Sequence, residues 1–177
     1  MTVEEDAARL KVEVLARQLD AEVITGISST FSGDTRAAIE AWDRALAVGL
    51  ALEGLRLEPV QVILQTTAAR LAAWEDSEEE IPGQARLLRR HRAPGRAKRP
   101  KTALHTVLVT TGRACAMAIS VAGLDDEEHR RLLVRALGAV LAPGSAPPAN
   151  ASALKALASR QVVDWETASL LEAALGG

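Results

Sequence analysis

Between residues 86 and 101 the chain carries Arg86, Arg89, Arg90, Arg92, Arg96, Lys98, Arg99 and Lys101, interrupted by Pro94, Gly95 and Pro100. Guanidinium groups donate paired hydrogen bonds to phosphate or carboxylate oxygens. Proline and glycine keep such a segment extended enough to follow a groove. The chemistry on offer is capture of an anionic surface. An acidic block, Glu75, Asp76, Glu78, Glu79 and Glu80, precedes the segment, and no acid occurs from 81 to 124. Eight of the 21 Lys and Arg residues fall in 86–101, leaving 13 bases against 23 acids elsewhere, so the net charge of -2 conceals a sharp internal separation.

Two ligands suit the segment: an acidic protein surface and nucleic acid. Neutralising about five phosphates would give a log–log salt slope of about -4.5 on duplex DNA. No aromatic residue lies in 84–101, which argues against stacking on single-stranded bases. The bland alternative is a solvated loop whose bases pair loosely with the neighbouring acids, at about 0–1 kcal/mol per pair.

Other reactive types are sparse. His91, His105 and His129 show no metal-ligand spacing, and the single Cys115 excludes an internal disulfide and a multi-cysteine zinc site. Cys115 sits among alanines, where cysteine behaves as an inert small hydrophobe. No metal, cofactor or catalytic residue is expected. Ser152-Ala-Leu-Lys155 matches a Ser-x-x-Lys pattern without its companion motifs. Arg113 is alone in an apolar stretch and must find a carboxylate, an anion or the surface, because an unpaired buried charge is costly. His105 and Arg113 lie near two helical turns apart, so an internal pocket holding both is one alternative; Cys115 points about 200° away from Arg113.

The elements that must position these residues follow from composition. Alanine (34) and leucine (24) dominate, aromatics are 2%, and tyrosine is absent. Ala and Leu form helix, whereas strands favour the types scarce here. The expected fold is all-α: a bundle of five to six helices over 1–142 with the basic arm at 84–101, a Pro/Gly linker at 143–149, and a short C-terminal helical pair over 150–177. Trp42, Trp74 and Trp165 are the expected bulky anchors.

The first helix is expected over 3–24, opened by Thr2 and Glu5 at capping-box spacing, with a loop at 26–33. Asp34 caps a second helix over 35–57, where Gly49 anticipates close approach of a neighbour. Pro59 opens a third helix that carries Val60, Leu64, Leu71 and Trp74 inward and forms an antiparallel hairpin with the second. Residues 102–123 are apolar on every side and long enough to span a bilayer. Thr102, Thr106, Thr110, Thr111, Gly112 and Ser120, together with Arg113, favour a bundle interior instead. Asp125 is the expected cap of the following helix, and Asp164 of the last.

The acidic start, Met1-Thr2-Val3-Glu4-Glu5-Asp6, lacks a secretory layout, and a cytoplasmic protein without membrane contact is expected. Arginine outnumbers lysine 17 to 4, which fits a high-GC bacterium or its phage. The function expected is non-catalytic: a helical binding and assembly protein whose Arg-rich arm contacts an acidic protein partner or nucleic acid. It is expected to self-associate, through small-residue faces near Gly49 and 114–122 unless these form the interior. The alternatives are a sequence-nonspecific DNA-binding regulator or phage packaging component, and a small helical ligand-binding protein or enzyme with its pocket near His105 and Arg113.

Overall fold

The structure is a computed structural model that describes residues 2–55, 59–76, 102–123 and 127–175. It is all-α, with eight helices and no strand among the described residues. They are α1 (Val3–Ser32), α2 (Thr35–Leu55), α3 (Pro59–Ile63), α4 (Gln65–Asp76), α5 (Ala103–Ala122), α6 (Glu127–Leu141), α7 (Ala151–Ala158) and α8 (Trp165–Leu175).

The capping box forms as the spacing demands: Glu5 N–H donates to Thr2 Oγ1 at 3.1 Å and Thr2 N–H to Glu5 Oε2 at 3.2 Å. The end of α1 departs from expectation, because 26–32 is helix rather than loop. Tertiary contact overrides weak local propensity here. Gly26 lets the Trp42 ring lie against the helix, where a Cβ would come within 2.7 Å of indole carbons. Thr30 Oγ1 donates to Gly26 O at 2.7 Å and accepts from Trp42 Nε1 at 3.1 Å. Gly33, at φ 81°, then ends the helix in the left-handed region.

α2 returns antiparallel to α1, with Arg44 Nε 3.0 Å from Glu22 Oε1. Gly49 does admit a neighbour, since its Cβ would lie 3.0 Å from Leu108 Cδ2 of α5. The third expected helix is interrupted at Leu64, yet Leu64 N–H bonds Val60 O and Ala68 N–H bonds Leu64 O, so the backbone ladder carries across. α2 and α4 run oppositely, as a hairpin requires. They touch through the Trp42–Trp74 ring stack (5.2 Å between centroids), while α1 and α5 pack along both.

α5 is the central helix. It packs on α2, α4, α6 and α8 and buries thirteen residues, including Leu108, Ala116 and Ile119. The stretch 106–111 is helical throughout. Thr106 and Thr111 hydroxyls donate to Thr102 O and Val107 O, so these two polar groups are satisfied within the helix. By length and composition α5 could cross a membrane, and 61% of its most apolar window is buried by the other helices. Gly112 brings α6 against it, with a Cβ there 2.7 Å from Ala136 O. The expected Asp125 cap of α6 lies outside the described residues.

The C-terminal pair docks on the bundle. Pro148 of the linker covers Gly138, and Leu154, Leu170, Leu171 and Ala174 join the same core as Leu133 and Leu137. Asn150 and Asp164 accept from Ala153 N–H and Thr167 N–H, capping α7 and α8. Trp165, in contrast with the fully buried Trp42, is 57% exposed.

Candidate functional site

The basic positions Arg86, Arg89, Arg90, Arg92, Arg96, Lys98, Arg99 and Lys101 lie outside the described residues, as does His91. The described chain stops at Asp76, the last residue of α4, and resumes at Thr102, the cap of α5. The frame from which the charged segment departs is therefore the α4–α5 pair. These helices run parallel: Gln61 Oε1 of α3 accepts from Leu104 N–H at the start of α5, and Glu75 at the end of α4 meets Arg113 further along it. The chain leaves at one level of the pair and returns at another.

Arg113 finds a carboxylate. Its Nη1 donates to Glu75 Oε1 at 3.2 Å, with the two side chains only 13% and 16% exposed. Its Nε is buried and has no hydrogen-bond partner. A charge in this helix is tolerable because Glu75 neutralises it, and the pair fixes the outgoing end of α4. His105 serves a different neighbourhood. A Cβ on Gly144 would fall 2.9 Å from His105 Nε2 and 3.5 Å from Glu53 Oε1, so these groups converge on the turn after α6. His105 and Arg113 are separated by about 12 Å of helical rise. Neither lines the cavity described next.

Cys115 faces Asp43 of α2 and Arg135 of α6, which form a close ion pair, with Arg135 Nη2 also donating to Asp43 O at 3.3 Å. Burial pushes the thiol up to about 12, the Asp43 carboxylate adds to the shift, and Arg135 partly offsets it. Such burial disfavours the thiolate, the form in which a cysteine acts as a nucleophile. Among the described residues no three His, Cys, Asp or Glu side chains converge as a metal site.

One cavity, of about 180 Å³, opens between the end of α1, the start of α2, α4 and α5. Ser29, Thr30, Ala38, Trp74, Met117 and Val121 line most of it. Trp74 Nε1 is buried without a hydrogen-bond partner. None of the lining residues titrates near neutrality, so the cavity offers apolar contact and not acid–base catalysis. Sequence periodicity places Trp74 inward but carries no signal that its N–H would lack an acceptor.

Of the small-residue faces expected near Gly49 and over 114–122, Gly49 and most of 114–119 are buried within the chain, against α5, α2 and α6, and form interior, whereas Val121 and Ala122 are exposed. No family model, no curated protein and no solved structure matches this chain.

Proposed function

We propose that this chain is a non-catalytic helical binding and assembly protein that presents its Arg-rich segment, 86–101, to an acidic protein partner. The observation that carries the reading is the division of charge together with the pairing of the helices' own carboxylates. Eight bases fall in that one segment. On the described helices, Glu13, Asp20, Glu22, Glu40, Asp43 and Glu75 each pair with an arginine of those helices. The bundle thus answers many of its acids internally, which leaves the segregated bases suited to an external anion. The inert thiol and the untitratable cavity lining favour binding over catalysis.

The test replaces Arg89, Arg90, Arg92, Arg96, Lys98 and Arg99 by glutamine and measures binding of labelled polyglutamate and of random-sequence duplex DNA across a salt series. Polyglutamate binding by the native chain, lost in the variant, is the expected result. Binding confined to the duplex, with a slope of about -4.5, would instead establish the nucleic-acid alternative. Neither ligand bound at low salt overturns the reading.

A further inference from the structure

α1 has two apolar faces, and the chain uses only one. The inner line, Val12, Leu19 and Gly26 with Ala16 and Val23, is buried against the bundle. About 200° around the helix lies a second line. Val3 (85% exposed), Leu10 (60%), Val14 (53%), Ile24 (46%) and Phe31 (46%) are five of the nine exposed large hydrophobic side chains among the described residues. Ala7, Ala21 and Ser28 fill the alternate positions, and Arg17 the centre, all exposed. The intervals from 3 to 31 therefore run four, three, four, three without a break. That is the 3.5-residue repeat by which one helix seats against another in a left-handed supercoil. Chance scatter of surface hydrophobics does not hold one register over eight turns.

We propose that this outer face of α1 is the interface between two copies of the chain, paired side by side in parallel. Three observations select a second copy. The repeat is self-complementary, so a parallel two-fold pair sets each seam residue against its own counterpart. The flanking charges then agree: Asp6 on one edge meets Lys11 of the second copy on the other, five positions on. An antiparallel pair would instead set the Asp6 edge against its own kind and separate Asp6 from Lys11; the other acids of that edge, Glu13 and Asp20, are already paired with Arg9 and Arg70. The area is also sufficient. The seam side chains and their neighbours present on the order of 500 Å² per copy, or on the order of 1,000 Å² for the pair, where specific interfaces begin.

Arg17 is the single charge in the seam. Its long stem covers the apolar line while its head reaches the edge, and one such interruption fixes register at a cost in stability. Shallow grooves between α1 and α3–α4, of about 390 and 630 Å³, share Ile24 and continue the same face. The inner packing and the outer pairing do not compete, because they use opposite sides of one helix.

This inference rests on the reading of the chain as an assembly protein but concerns a surface remote in sequence from 86–101, so the two fail separately. The test is the solution mass of the full chain by light scattering, with helix content checked by circular dichroism. The native chain is expected at twice 18.7 kDa, and the Leu10→Glu, Val14→Glu double variant at 18.7 kDa with unchanged helicity. Arg17→Leu, which adds no charge and threatens no buried contact, is expected to tighten the pair about tenfold or more. Leu10→Cys is expected to cross-link to its counterpart on mild oxidation, which an antiparallel pair does not allow. A native chain that stays monomeric overturns the proposal. So do a dimer that survives the double variant, an Arg17→Leu variant that dissociates more readily, and a Leu10→Cys dimer that does not cross-link. The glutamine variant of the basic segment keeps the dimeric mass if the two surfaces are separate, as the structure requires of this proposal.

Discussion

Cys115 ties pH to stability through a single proton. In the unfolded chain its thiol titrates near its ordinary value of 9.0, and in the folded chain at about 12. Below about 9 both states hold the proton and nothing changes. As pH climbs from 9 toward 12 the unfolded state releases it first, so folding becomes less favourable. Urea unfolding at about pH 8 and about pH 10 should therefore show the native chain losing stability relative to Cys115→Ala, whose curve lacks this contribution. Parallel behaviour of the two proteins would contradict the buried-thiol account. The cysteine's burial was legible from its alanine neighbours. The Asp43–Arg135 pair beside it was not, because those partners lie far away in sequence on α2 and α6.

At the scale of elements, the Arg113–Glu75 pair joins α5 to the end of α4. Arg113→Met should cost about 1–3 kcal/mol in urea unfolding, since it removes the guanidinium paired with a mostly buried carboxylate. Glu75→Gln should cost a similar amount, and the double substitution less than the two together. Additive losses would mean that the two side chains do not act as a pair. Among the described residues helix type was readable everywhere outside the end of α1: the Ala/Leu composition disfavoured strands, Thr2 and Asp164 marked helix starts, and Gly49 marked a close approach. The end of α1 was hidden because Gly26, Ser29 and Thr30 disfavour helix locally, and only the Trp42 ring recruits them. The need of Arg113 for a carboxylate was plain from its apolar setting, while the identity of Glu75 required the parallel course of α4 and α5. The outer line of α1 stood in the sequence too. The inner line alone accounts for a surface helix, however, and a second line has meaning only once exposure is known.

For the whole molecule, the C-terminal pair is part of the core rather than an appendage. Leu154, Leu170 and Leu171 are buried with residues of α5 and α6. Each is worth about 1.5–3 kcal/mol of burial, so deleting 150–177 should lower the unfolding free energy by roughly 5 kcal/mol or more. The truncated chain is also expected to bind a hydrophobic dye at the uncovered face of α6. An unchanged urea midpoint would show that α7 and α8 contribute nothing to stability. The linker at 143–149 supports the first outcome, because Pro148 is itself packed on Gly138. The stacked indoles of Trp42 and Trp74 carry one more consequence. In a chain without tyrosine, two of the three strong near-ultraviolet absorbers stack on each other, Trp42 buried and Trp74 partly so, and the third lies at the surface. The spectrum thus divides by location, and coupling between the inner two chromophores exists only while the end of α1, α2 and α4 stay assembled.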